Sequence, residues 1–204
     1  MAALVLAMAS AAAQAPLPGL RVEPTDGGSI FYIKNPSTQA LTAYLIELVN
    51  YPGSSYSLWQ DDIAGEAIAP GGERRTQISN MTVGAVPDYV KMQAAIYVDG
   101  STSGIPEKVT LLIGRRRAML ATARELIQRL EKGQTAAELR QWSDGMPPVS
   151  RAQRNSLEAI GQAASKGLIG ETISKINSGS AESALTALRT RERALAASKP
   201  ALQP

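Results

Sequence analysis

The pattern of apolar residues changes at Gly114, and this change limits the chain to a β-rich part followed by a helical part. Before it, Val90–Asp99 has apolar residues at every second position. A period of two places alternate side chains on opposite faces of a strand. After it, Arg115–Lys132 has apolar residues spaced three and four apart, as in an amphipathic helix. We therefore expect a β domain over residues 16–114 and an all-α domain over residues 115–197.

Short apolar segments separated by turn residues predict about seven strands in the β domain. Leu41–Asn50 is apolar on both faces except at Glu47, which favours a central strand. Strands at this spacing resemble an immunoglobulin-like or fibronectin-type-III-like β-sandwich, without the disulfide of antibody domains because the chain has no cysteine. The expected strands are Leu20–Glu23, Ser29–Lys34, Leu41–Asn50, Ser57–Gln60, Glu73–Ser79, Val90–Asp99 and Lys108–Ile113.

Five helices are expected in the α domain. The first spans Arg115–Lys132, and a capping box formed by Thr135 and Glu138 starts a second, which ends near Trp142. Glycines weaken the segments that follow. The remaining expected elements are a third helix capped by Ser150 and ended by Gly167, a short fourth helix over Gly170–Asn177, a fifth helix capped by Ser180, and a loose tail over residues 198–204.

Residues 1–15 have the composition of a secretory signal peptide. The run from Ala2 to Ala13 is almost wholly apolar and small residues follow it, as at a cleavage site. It is much shorter than the roughly 20 residues that a membrane-spanning helix needs. No basic residue precedes the run, so an alanine-rich first helix is the alternative, but Pro16-Leu17-Pro18-Gly19 would end such a helix. We expect an exported protein, periplasmic or extracellular, without a transmembrane segment.

The chain contains no cysteine and no histidine, and these absences exclude several kinds of site. Ser-His-Asp and Cys-His catalysis are impossible, as are disulfides and cysteine-ligated metals. The sequence also lacks the Gly-Lys dipeptide of a P-loop. We therefore expect no catalytic residues, no metal site, no cofactor and no enzymatic activity.

The segment Tyr51–Asp62 combines aromatic rings with paired carboxylates, a composition suited to contact with a sugar or a peptide. The alternative is that Trp59 is a core residue and that the tyrosines cover the ends of loops. Adjacent aspartates alone are a weak indication of calcium. The candidate binding residues are Tyr51, Tyr56, Trp59, Asp61 and Asp62.

Two further motifs favour structural interpretations. Arg115-Arg116-Arg117 could bind phosphate, but acidic residues follow on the same helix and no aromatic residues accompany it. A solvated helix face without a nucleic-acid partner is therefore favoured. The segment Asp99–Gly104 begins with Asp-Gly after a clear strand, which is typical of a hairpin turn.

These features predict an exported, non-catalytic binding or assembly protein of the cell envelope or extracellular space, with a protein or polysaccharide as partner. One alternative is a carbohydrate-binding module. Another is a small glycan hydrolase that uses two carboxylates, drawn from Glu47, Asp61, Asp62 and Glu66. In a third alternative the helices bind a partner helix and the β domain serves only as a carrier.

Overall fold

The chain folds into two antiparallel sheets followed by four helices in a computed structural model, which describes residues 15–53, 55–79 and 87–202. The strands are β1 (Gly19–Thr25), β2 (Gly28–Lys34), β3 (Leu41–Leu48), β4 (Ser57–Asp61), β5 (Glu73–Ser79), β6 (Val90–Tyr97) and β7 (Thr102–Gly104). The helices are α1 (Pro106–Glu131), α2 (Ala136–Asp144), α3 (Leu157–Ser178) and α4 (Ala181–Ala196). The predicted signal peptide lies, apart from Ala15, outside the described residues.

Apolar side chains from the two sheets form one buried cluster. The three-stranded sheet has the order β1-β2-β5 and the four-stranded sheet the order β4-β3-β6-β7. Phe31 and Ile33 of β2 meet Tyr44 and Ile46 of β3 and Met92 of β6 in this cluster. Because β3 lies between β4 and β6 and is buried along most of its length, the central strand predicted from Leu41 onward is confirmed.

Helix α1 covers the opposite face of the four-stranded sheet. Leu112 of α1 packs against Ala43 and Leu45 of β3 and against two residues of β6. Further along, Ala123, Leu126 and Leu130 of the same helix belong to a second cluster with residues of α2, α3 and α4. One helix therefore contributes to the packing of both parts of the chain.

The predicted strand over Lys108–Ile113 is wrong, because these residues form the first turns of α1. Pro106 stands at the start of this helix, where its fixed φ suits helical backbone and its missing N–H costs nothing. The seventh strand is instead β7, within the segment predicted to be only a turn. The domain boundary predicted at Gly114 therefore falls inside α1.

Helix α3 is continuous, so the two helices predicted across Gly167 and Gly170 are one. Tertiary packing of the apolar stripe outweighs the low helix propensity of glycine. Ser150 precedes only a 3₁₀ turn, and the cap of α3 is Ser156, whose Oγ accepts a hydrogen bond from the Ala159 N–H at 3.1 Å. The capping box at Thr135 and Glu138 and the cap at Ser180 are confirmed.

Two of the last described residues, Ser198 and Leu202, are buried, contrary to the loose tail predicted from Ser198. Leu202 is 5% exposed and lies in a cluster with Met119, Leu120 and Leu195. Within the described ranges, no helix is long and apolar enough to cross a lipid bilayer.

Candidate functional site

A groove runs between β4 and the helices and is the main concave feature around the predicted site residues. It consists of two adjoining clefts of about 510 and 250 Å³ that share Trp59, Arg115 and Ala164. The larger cleft follows residues 59–65 at the end of β4, and the smaller one reaches Ser57 at its beginning. We call these two clefts together the β4 groove.

A buried ion pair lies beside the groove and joins α1 to the sheet. Arg116 has no exposed side-chain surface, and the side chain of Asp61 is 5% exposed. The arginine donates from Nε to Oδ2 at 2.8 Å and from Nη2 to Oδ1 at 3.1 Å, and Nη2 also lies 3.0 Å from Thr42 Oγ1. Because a buried charge without its partner is very unfavourable, this pair holds α1 in position on the sheet.

Asp61 and Asp62 do not form a common site, although they are adjacent in the sequence. Successive side chains of a strand point to opposite faces, and the two carboxylates follow this rule at the end of β4. Asp61 meets Arg116, whereas Asp62 accepts hydrogen bonds from Arg74 of β5 and from the side-chain amide of Gln60. No group of three or more acidic side chains suited to a metal ion occurs in the described part of the chain.

The three aromatic candidates also lie in different parts of the structure. Trp59 packs on the cluster between the sheet and α1 and lines the groove, whereas Tyr56 and Tyr51 pack on the cluster between the two sheets. Burial raises the pKa of the Tyr56 hydroxyl. Tyr51 meets Tyr89 edge to face with ring centroids 5.4 Å apart. Of the five predicted residues, the structure therefore brings only Trp59, Asp61 and Asp62 to the groove.

The arginine run is not a solvated face, except at Arg117, which is exposed. Arg115 is partly buried in the groove, with Nη1 3.7 Å from the sulfur of Met119, and desolvation lowers its pKa although Asp61 opposes this effect. Sequence reasoning missed both inner arginines. The available signal was that Arg116 stands one helical turn from Leu112 and from Leu120, on the apolar stripe of a helix that begins at Pro106.

The carboxylates that line the groove are all paired with cations. Besides the pair at Asp61, Asp62 pairs with Arg74, Glu171 with Arg191 and Glu47 with Lys108. In contrast, neither Arg115 nor Arg154, which both line the smaller cleft, pairs with a carboxylate within the described residues. The groove is therefore a concave surface in which two arginines have no carboxylate partner among the described residues.

Comparison with known proteins found no matching family model, no matching curated protein and no matching solved structure.

Proposed function

We propose that the protein is an exported, non-catalytic binding protein that acts in assembly at the cell envelope, on its periplasmic or extracellular side. The β4 groove is the contact surface. The observation that carries this proposal is the placement of Trp59 in a concave surface beside Arg115, which is partly buried and has no carboxylate partner within the described ranges. Tryptophan and arginine are the residue types that contribute most to binding energy at protein interfaces.

The two sheets are proposed to be a β-sandwich of the immunoglobulin-like or fibronectin-type-III-like kind. Support comes from the buried cluster to which β2, β3 and β6 all contribute, as expected where the inner faces of two sheets meet. In such folds binding residues commonly lie on loops and edges carried by a rigid core. The position of the groove beside β4 agrees with that arrangement.

Export is supported by the apolar segment at Ala2–Ala13. We expect residues 1–20, fused ahead of a phosphatase that is active only after export, to give phosphatase activity in whole cells. A matched fusion carrying Leu4→Asp and Leu6→Asp should lose that activity, because charges within the apolar segment prevent its recognition as a signal peptide. Equal activity of the two fusions would contradict export by this segment.

The positions of the carboxylates weigh against the glycan-hydrolase alternative. A general acid or nucleophile needs a carboxylate that can exchange protons with or attack the substrate. Asp61 is held at two points by Arg116, and Asp62 and Glu47 are also in ion pairs. The carbohydrate-binding alternative is weakened in a similar way, because Tyr56 and Trp59 pack on different clusters rather than forming one flat surface.

Site-specific photo-cross-linking in the native host tests the proposed contact surface. Ala163 and Gly167 are exposed residues of α3 that line the groove, and a side chain added at Gly167 meets open space. A photo-cross-linking amino acid at either position should yield one covalent adduct with a cell-envelope protein. The matched control is Ala137, an exposed residue of α2 away from the groove.

Adducts at both α3 positions and none at Ala137 would support the groove as the contact surface. Equal adducts at all three positions, or none at any of them, would contradict it. A polysaccharide partner would appear as a cross-linked species that glycan-degrading enzymes shorten and proteases do not, and this result would replace the protein-binding proposal.

A further inference from the structure

Among the described residues, strand β4 ends the four-stranded sheet and has a neighbour only on one side, β3. An edge strand presents backbone N–H and C=O groups that another extended segment can pair with. At β4 these groups border a groove whose opposite wall is formed by α1 and α3. The exposed edge of β4 can therefore accept one more strand through backbone hydrogen bonds.

The hydrogen-bond pattern shows which residues present their backbone groups outward. The Leu48 N–H donates to the Tyr56 carbonyl and the Asp62 N–H donates to the Thr42 carbonyl, both at normal distances. In an antiparallel pair, alternate residues direct both backbone groups to the same neighbour. Residues 56, 58, 60 and 62 thus face β3, and Ser57, Trp59 and Asp61 face outward. No described residue pairs with these outward backbone groups.

The side-chain directions place one position of an added strand near Arg115. Trp59 points to the side of the sheet covered by α1, and directly opposed residues of neighbouring strands point to the same side. A residue opposite Trp59 would therefore enter the region that Trp59 and Arg115 line together. Arg115 has no carboxylate partner among the described residues, and desolvation already disfavours its charge.

We infer that the partner of this protein presents an extended segment that pairs with β4, with an aspartate or glutamate opposite Trp59 that binds Arg115. This inference rests on the proposed function and names the chemistry of the partner. The carboxylates of the groove are already paired, so the complementary charge has to come from the partner. Arg154, exposed at the smaller cleft, favours further acidic residues toward one end of the segment.

The probe is a library of random linear decapeptides displayed on phage. Peptides that bind are selected on the purified full-length chain. We expect enriched peptides to alternate apolar and polar residues and to share an acidic residue at one position. Binding of a selected peptide, measured by fluorescence anisotropy, should weaken about tenfold or more for Arg115→Gln, as loss of a charge-assisted hydrogen bond predicts. Selection of the same library on the Arg115→Glu variant should enrich peptides that carry lysine or arginine at the position where the acidic residue stood.

The matched control for charge is Arg117→Gln, which removes an exposed arginine two residues along the same helix and should leave peptide affinity unchanged. The control for backbone pairing compares two changes at Ser57, the first residue of β4. Ser57→Pro removes an outward N–H without breaking a bond to β3 and should abolish binding, whereas Ser57→Ala should retain it. Circular dichroism and the urea midpoint of each variant establish that it folds.

Hydrogen exchange on the unmodified protein gives a readout that needs no variant. Bound peptide should slow exchange of the amides of Ser57, Trp59 and Asp61. Enriched peptides without an acidic position, or bound peptides that leave these three amides unprotected, would overturn the inference even if groove cross-links are found in cells. Dimerisation of the protein alone that Ser57→Pro abolishes would also overturn it, because the occupant would then be a second copy of the chain.

Discussion

Arg116 has no contact with solvent, and its charge depends on the single carboxylate of Asp61. Two hydrogen bonds join the guanidinium to this carboxylate, and Nη2, which donates one of them, also lies 3.0 Å from Thr42 Oγ1. Replacing both members of such a pair by well-packed apolar residues changes the free energy of unfolding little. Removing one partner, however, leaves the other charge buried and unpaired in the interior. At the scale of the residue, the pair is therefore a strong determinant of how α1 sits on the sheet.

Asp61→Ala should lower the free energy of unfolding by about 3–5 kcal/mol, because Arg116 is left buried and uncompensated. The double variant Asp61→Leu with Arg116→Met should recover most of this loss. Urea unfolding of the single and double variants measures both effects. The control is Arg189→Met in the exposed pair with Glu131, which should cost at most about 1 kcal/mol. A loss at Asp61 as small as the control would mean that the pair is not buried in solution.

Buried tyrosines should make the protein less stable in alkali. Desolvation raises the pKa of Tyr44 and of Tyr97 above the ordinary value. The folded state then binds more protons than the unfolded state between the two pKa values, so stability is complete below the unfolded pKa of about 10 and falls as pH rises through the folded one. Urea unfolding between pH 8 and 11 measures the fall, which should be shallower in Tyr44→Phe. An identical slope in that variant would contradict a role for Tyr44.

At the scale of the element, the short strand β7 depends on a glycine that no other residue can replace without strain. Gly104 has a φ of 101° and pairs with Ala94 of β6. A Cβ at this position would lie 2.2 Å from the carbonyl oxygen of Gln93 and 2.7 Å from the Cα of Ala94. The obstruction is backbone, which cannot move without separating the two strands.

Gly104→Ala should therefore cost about 2–5 kcal/mol, combining the penalty for positive φ with that for overpacking. The comparison is Gly133→Ala after α1, where φ is also positive but a Cβ meets nothing within 4 Å. That change should cost only the backbone penalty of about 1–2 kcal/mol. Thermal and urea unfolding of both variants measure the two losses of stability. Equal losses would show that the structure around Gly104 accommodates a Cβ without any cost in stability.

At the scale of the whole molecule, α1 joins two apolar clusters that lie in different parts of the chain. Its N-terminal half packs on the sheet through Leu112, and its C-terminal half packs on the other helices through Leu126. The Arg116–Asp61 pair lies between these two contacts along the helix. Because a continuous helix transmits the loss of one contact to the other, the sheets and the helices should unfold together.

The two tryptophans allow this cooperativity to be measured. Trp59 reports on the contact between sheet and α1, and Trp142 packs at the edge of the helical cluster beneath Arg129. Single-tryptophan variants made with Trp142→Phe and Trp59→Phe should show the same urea midpoint by fluorescence as by far-ultraviolet circular dichroism, as two-state unfolding requires. Distinct midpoints for the two fluorescence signals would indicate two independent units.

The sequence by itself determined the first six strands, the change from strands to helices, the central position of β3 and the caps at Thr135 and Ser180. These features depend on the periodicity of neighbouring residues and on side chains that bond to the adjacent backbone, so they can be read locally. The absence of cysteine and histidine is equally a property of composition. It excludes thiol and imidazole chemistry whatever fold the chain adopts, because no other side chain supplies those groups.

Only the tertiary structure decided where α1 begins, that α3 continues through its glycines, and which charged groups meet in the groove. The apolar run at Lys108–Ile113 suits a strand or a helix, and packing on the sheet selects the helix. Arg116 and Asp61 lie 55 residues apart in the chain, and no local pattern relates them. Their pairing follows from the free energy of burying distant residues together, and so does the position of Arg115 without a carboxylate partner in the part of the chain that the structure describes.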